Sequence, residues 1–142
     1  MRSLLDVNVL IALLDAGHVH HAAANVWLYA HGDKGWASCP LTQNGCLRIL
    51  SADAYPRRQP LGAVAQRLLE ATQTLHHEFW PDEISVLDPE RFDQRRWLTS
   101  RQITDAYLLA LAVRHEGRFV TLDRNIDRSL VRGAEPRHLV VI

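Results

Sequence analysis

The chain has 142 residues, is 47% hydrophobic and 23% charged, and balances 16 basic against 16 acidic side chains. That composition suits one folded domain with a real core, excludes disorder, and excludes a globally basic nucleic-acid footprint. Two cysteines, Cys39 and Cys46, make neither a disulfide framework nor a four-ligand zinc site by themselves, and no apolar run approaches membrane-spanning length.

The start of the chain carries no leader-like apolar segment, so the expectation is a soluble cytoplasmic protein without a membrane contact. Arg2 to Asp6 reads as a first strand that stops at a carboxylate. Val7 to Leu14 is apolar nearly all round, as a buried helix is, and Gly17 stands where a left-handed C-cap would close it. His20 to His31 carries Ala23, Val26, Trp27 and Ala30 on one helical face. Trp36 to Cys39 is a short second strand, and Pro40 opens a helix over Leu41–Leu50. After a loop over Ser51–Pro60, Leu61 to His76 is amphipathic, and Trp80-Pro81-Asp82 breaks it.

Ile84 to Leu87 reads as a third strand and Asp88 to Trp97 as a short helix. Ile103 to His115 is the clearest helix, with Thr104 as its N-cap and Gly117 as its cap at the far end. Arg118 to Leu122 is the next strand, Arg124 to Val131 a short helix, and Leu139 to Ile142 a closing strand. Strands alternate with helices, which indicates the α/β class with a mainly parallel sheet, in one domain over residues 1–142.

Two strands in this reading end in an acid, at Asp6 and Asp123. Open parallel sheets place ligands just beyond the carboxyl ends of their strands. In a right-handed crossover the Ile103–His115 helix runs opposite to the strand it feeds, so its first turn, with Asp105, lies at that same edge. Eleven helical residues and five strand residues each span roughly 16 Å, so the lengths agree. Three convergent carboxylates repel one another unless a cation stands between them, and Mg²⁺ or Mn²⁺ takes such oxygen ligands. Taken singly, an acid at a helix start also follows from the macrodipole, and an acid after a strand from turn chemistry.

Other clusters are weaker. His18, His20 and His21, and the pair His76-His77, lack the i, i+4 spacing of helical zinc ligands and read as solvated polar residues. Arg124, Arg128 and Arg132 recur at i, i+4 and i+8 directly after Asp123. On a helix they would share one face, suited to RNA phosphates, to a partner's carboxylates, or simply to solvent. Lys34 is the only lysine, so nearly all the positive charge is planar guanidinium, a choice that codon bias explains equally well.

In order along the chain, Leu4-Leu5-Asp6-Val7-Asn8-Val9-Leu10, Thr42-Gln43-Asn44-Gly45-Cys46-Leu47-Arg48, Ile103-Thr104-Asp105-Ala106-Tyr107-Leu108-Leu109-Ala110-Leu111-Ala112 and Thr121-Leu122-Asp123-Arg124 resemble the PIN-domain ribonucleases, specifically the VapC-like toxins of type II toxin–antitoxin modules. The resemblance covers essentially the whole chain. It implies a three-layer α/β/α sandwich and a Mg²⁺-dependent endoribonuclease that hydrolyses RNA with a metal-activated water. Asp6, Asp105 and Asp123 carry over as metal ligands and catalytic residues, Asn8 and Thr121 as supporting polar groups, and Asp127 as the position of a further acid. An RNA substrate, a cognate antitoxin and a homodimer are implied in the same way.

One departure stands out. The family usually has a Glu on the helix after the second strand, and here the matching region, Thr42-Gln43-Asn44-Gly45, holds no acid. Gln43 or Asn44 is then left to offer a neutral oxygen, and a catalytically weak binding module for RNA or a protein is the alternative reading. A phosphotransfer enzyme with Asp6 as nucleophile fits less well, because Asn8 stands where that chemistry needs a second Asp.

Overall fold

The computed structural model describes residues Met1–Ile142. Five short strands form one all-parallel sheet: β1 (Ser3–Leu5), β2 (Trp36–Ser38), β3 (His77–Phe79), β4 (Arg118–Thr121) and β5 (Leu139–Val141), in the spatial order β3-β2-β1-β4-β5. Five helices surround it: α1 (Val7–Leu14), α2 (His21–His31), α3 (Pro40–Leu50), α4 (Leu61–Thr72) and α5 (Gln102–Arg114).

The layers follow from the two-residue period of a strand. Leu4 and Phe119 are register partners, and both point with Ala37 into the core beneath α5. Leu5 and Val120 lie one position on, so they point to the other face and meet α1, α3 and α4 together with Trp36. With α2 packed outside α1, the result is the three-layer α/β/α sandwich. Helix α5 is buried at every position from Ala106 to Ala112, because Phe92, Leu130 and Val131 cover the side that the sheet does not.

Several local expectations are corrected. The third strand is His77–Phe79, not Ile84–Leu87. It lies at the sheet edge, where polar residues are tolerated, and Glu78 on it pairs with Arg2 at 2.8 Å. Ile84 and Val86 pack against the α5 core outside any strand. The helix before β3 stops at Thr72 rather than His76. Between Asp88 and Trp97 only a single 3-10 turn forms, Gln94–Arg96. After β4 the helix expected over Arg124–Val131 is a turn followed by a 3-10 turn, Arg128–Leu130. Asp123 takes the Asn125 N–H at 2.8 Å and Asp127 takes the Ser129 N–H at 2.8 Å, and such local bonds compete with helix formation.

The helix ends differ as well. Gly17 does not take a left-handed conformation; Asp15 leaves α1 extended and holds the Gly17 N–H at 3.0 Å. Helix α5 starts at Gln102, so Thr104 lies inside it, and the Gln102 carboxamide oxygen accepts the N–H groups of Leu98 and Thr99 at 2.7 and 2.9 Å. At the far end Glu116, not Gly117, takes the left-handed position with φ 52°. The Gly117 N–H reaches Ala112 O at 2.8 Å and the Glu116 N–H reaches Val113 O at 3.1 Å, the two bonds of a Schellman stop. Gly117 is needed for closeness: a Cβ there would stand 2.7 Å from the Trp80 ring and 2.8 Å from Arg2 O. Gly117→Ala is therefore expected to destabilise the fold by about 1–3 kcal/mol, read as a lower denaturant midpoint at unchanged slope. A wild-type midpoint would mean that Trp80 yields without cost.

Candidate active site

Leaving β1, the chain proceeds to β2 and β3 on one side of the sheet, while β4 and β5 lie on the other. The carboxyl ends of β1 and β4 therefore flank the switch point, where open α/β sheets form their crevice. Asp6 ends β1, Asp123 follows β4, and Asp105 sits in the first turn of α5.

Asp6 is only 6% exposed and caps α1. One of its oxygens accepts the Val7 N–H at 2.7 Å, and the other accepts the Thr121 hydroxyl at 2.6 Å. The fully buried Thr121 oxygen also accepts from Asn8 Nδ2 at 3.1 Å and from the Asp123 N–H at 3.0 Å. Asn8 Oδ1 accepts the Leu122 N–H at 3.1 Å. One hydroxyl thus joins both acid-bearing strand ends, and Asn8 holds it from α1.

Burial pushes the Asp6 carboxyl upward, its bonds to Thr121 and Val7 oppose that shift, and the Asp123 charge adds to it. Asp105 is pushed up to about 6, first by burial and then by the charges of Asp6 and Asp123. The Asp105 carboxylate accepts no hydrogen bond, and no Arg, Lys or His pairs with any of the three acids. The acids therefore feel one another, yet no three His, Cys, Asp or Glu side chains close on a single point as a metal cage. The three acids share an electrostatic field at this edge without forming a three-way cage. That arrangement suits Mg²⁺, which keeps several waters and takes one or two carboxylates directly.

Helix α3 supplies no acid. Thr42 closes its first turn, with its hydroxyl bonded to Cys39 N at 3.0 Å and Cys39 O at 3.1 Å. Gln43 Nε2 donates to Ser38 Oγ at 2.9 Å, and Ser38 meets His77 Nε2 at 2.8 Å. Asn44 is exposed. Gly45 packs on Val7, beside Asp6: a Cβ there would stand 2.7 Å from Val7 Cγ2. Sequence reasoning missed both the Ser38–His77–Gln43 chain and this contact. A glycine in the middle of a helix was the available signal for the second.

The remaining sequence candidates separate. Asp127 is exposed and caps its 3-10 turn, and its bonds to Ser129 hold its carboxyl below the usual range. The arginines share no helical face. Arg132 binds Pro89 O at 2.9 Å and lies 3.9 Å from Asp93, Arg124 is exposed, and Arg128 is half-buried.

The chain matches the PIN domain family over residues 3–129. It is 48% identical to Ribonuclease VapC44 of Mycobacterium tuberculosis over 142 residues, the whole of both chains. It is 40% identical over 134 residues to Ribonuclease VapC39 of the same organism, covering 94% of this chain and 96% of that one. Among solved structures it superposes with TM-score 0.60 on a chain of Rickettsia felis VapBC2 bound to a promoter DNA fragment, at 12% identity and 87% and 89% coverage. It superposes with TM-score 0.56 on Mycobacterium tuberculosis VapC20, a toxin that cleaves the sarcin–ricin loop, at 15% identity and 82% and 85% coverage. The two superpositions establish the fold. The chain belongs to the PIN domain family.

The raised Asp105 carboxyl sets a pH dependence for the protein in chelator. Between about pH 4 and 6 the folded chain holds a proton that the unfolded chain releases, so stability falls as pH rises through that window. Asp105→Asn removes the fall and is more stable than wild type at pH 7. Urea titrations from pH 4 to 8 check this; parallel profiles would mean that Asp105 carries no such strain.

Proposed function

We propose that this PIN-domain chain is a divalent-cation-dependent endoribonuclease, the toxin of a type II toxin–antitoxin pair. The observation that carries the reading is the grouping of Asp6, Asp105 and Asp123 at the switch point with no cationic side chain among them. Its relatives named Ribonuclease VapC, one identical at 48% of positions over the full chain, support it. A cognate antitoxin protein as partner, an RNA substrate, a homodimer and a cytoplasmic setting belong to the same proposal. No helix of the chain is long and apolar enough to cross a membrane.

Asp6 and Asp105 would hold Mg²⁺, with Mn²⁺ as a substitute, and Asp123 would hold it directly or through water. When bound, the ion supplies charge neutralisation at a phosphodiester and a water acidic enough to attack it. The chain's own groups do the positioning. The Val7 N–H and the Thr121 hydroxyl each hold one oxygen of Asp6, which fixes the plane of its carboxylate. Asn8 and the Asp123 N–H hold Thr121 in turn, so both strand ends keep one geometry. Asp105 changes protonation near pH 6, so cation binding there competes with a proton.

The absence of any acid on α3 supports a second reading, a catalytically weak binding module. Purified protein incubated with a mixed tRNA and rRNA pool separates the two. The nuclease cleaves with Mg²⁺ or Mn²⁺ and stops with EDTA, while Asp6→Asn and Asp105→Asn fall to background. Cleavage that persists in either variant, or in EDTA, sinks the assignment. Thr121→Val, which keeps the shape and loses the hydroxyl, is expected to cost about 10–100-fold in metal affinity or activity. Manganese titration together with cleavage rates measures that loss.

A further inference from the structure

Almost every arginine of the chain has a partner. Arg57 and Arg95 hold carboxylates at 2.8 and 3.0 Å, and Arg118 and Arg132 hold Ser3 Oγ and Pro89 O, each at 2.9 Å. Arg48, Arg101, Arg124 and Arg128 are the exceptions, with no side-chain hydrogen bond or ion pair within the chain. Two of these four stand elsewhere. Arg48 lies two turns down α3, about 12 Å from the edge where that helix starts. Arg128 faces the Asp127 carboxylate, which its charge helps to hold below the usual range.

Arg101 and Arg124 adjoin the acids of the switch point. Arg101 has helical backbone angles, φ −64° and ψ −29°, just before α5. It therefore shares a helical face with Asp105 and stands one turn, about 6 Å, further out. Arg124 follows Asp123 directly, with its Cα about 3.8 Å away. Asp105 feels the charge of Asp123, so the two arginines rise from neighbouring points of one rim. Both stand on fixed backbone. The Gln102 carboxamide holds the N–H groups of Leu98 and Thr99 at 2.7 and 2.9 Å, just before Arg101. Thr121 Oγ takes the Asp123 N–H at 3.0 Å and Asp123 takes the Asn125 N–H at 2.8 Å, which closes the turn that carries Arg124 on both sides. Both side chains are exposed, and neither pairs with the acid beside it. Negative charge is thus gathered in the crevice and positive charge at its rim.

We propose that Arg101 and Arg124 are positioning residues for the substrate strand, each holding a phosphate next to the one that lies at the carboxylates. An RNA strand that brings one phosphodiester to three acids brings its neighbouring phosphates as well, and these are repelled unless cations meet them. A guanidinium keeps its charge and presents paired donors to a phosphate. The assignment rests on the ribonuclease reading. It keeps Arg124 alone of the Arg124, Arg128 and Arg132 pattern, and adds Arg101 from a distant part of the sequence.

The test reads binding and cleavage separately. In an Asp6→Asn background with Mg²⁺, fluorescence anisotropy gives Kd for a short oligoribonucleotide across a range of salt. Arg101→Ala and Arg124→Ala are each expected to raise Kd about tenfold and to flatten the salt slope by about 0.7, as for one phosphate contact to a single strand. Arg101→Lys and Arg124→Lys keep the slope, because the charge is retained. Backbone contacts carry no sequence information, so in the catalytically intact protein the alanine variants raise KM and leave the cleavage positions, read by end sequencing, unchanged. Manganese affinity of the RNA-free variants stays within about twofold of wild type, since both arginines are exposed and screened. Arg114→Ala, at the far end of α5, is the charge control. Melting curves establish folding, and the glutamine variant replaces an alanine variant that melts early. Wild-type Kd and slope in both alanine variants, lost manganese affinity at unchanged slope, or an equal loss in Arg114→Ala overturns the assignment, while metal-dependent cleavage by wild type keeps the nuclease. A wild-type protein that neither binds nor cleaves RNA overturns both.

Discussion

The hydroxyl of Thr121 is the point on which the site depends. It donates to Asp6 on β1 and accepts from Asn8 on α1 and from the Asp123 backbone beyond β4. Parallel strands are held by slanted backbone bonds that end with the strand. The last backbone bond between the two strands runs from the Asp6 N–H to Val120 O at 2.9 Å; beyond it, side-chain bonds take over in keeping the strand ends at a fixed separation. One buried oxygen with three partners does this at full satisfaction, so it adds rigidity without leaving an unpaired polar group.

Around that hub the protein accepts an electrostatic cost. Asp6 is nearly buried and Asp105 accepts no hydrogen bond, and burial and mutual repulsion raise both carboxyls. Elsewhere the same chain places its acids with care. Buried Asp15 is held by Tyr55 and by Arg57 at 2.8 Å, and Asp93 lies among three arginines that pull its carboxyl down to about 2. The contrast separates acids paired with arginine from those at the switch point, which have no cationic partner. Unpaired charge retained at one location of an otherwise consistent fold supports the proposed function of that location.

Helix α3 shows how a local packing choice reaches the chemistry. Gly45 lets α3 approach α1 at Val7, the residue whose N–H holds Asp6. The close contact and an acid cannot occupy the same position. The polar residues nearby are partly spent on structure, Thr42 on the helix cap and the Gln43 amide on Ser38. The Gly45–Val7 contact closes position 45 to any side chain, while the exposed Asn44 is under no such packing constraint.

By itself, the sequence determined the α/β class, the alternation of elements and the three acids at one edge. Each of these depends on local periodicity and on the direction rule for crossovers, and both operate within a few tens of residues. Ser3-Leu4-Leu5 and Phe119-Val120-Thr121 were legible because buried parallel strands are nearly continuous apolar runs. Only the tertiary structure decided that His77–Phe79 is the edge strand. Its pairing with β2 comes from backbone bonds to Trp36 and Ser38, which polar side chains on the exposed edge neither signal nor prevent. The tertiary structure also decided the path of the chain beyond Asp123. There the Asx turns at Asp123 and Asp127 and the Phe92–Val131 bridge outweigh a pattern that reads as helix, and so keep Arg124, Arg128 and Arg132 off a common helical face. Long-range contacts settle what local preference leaves within about a kilocalorie per residue.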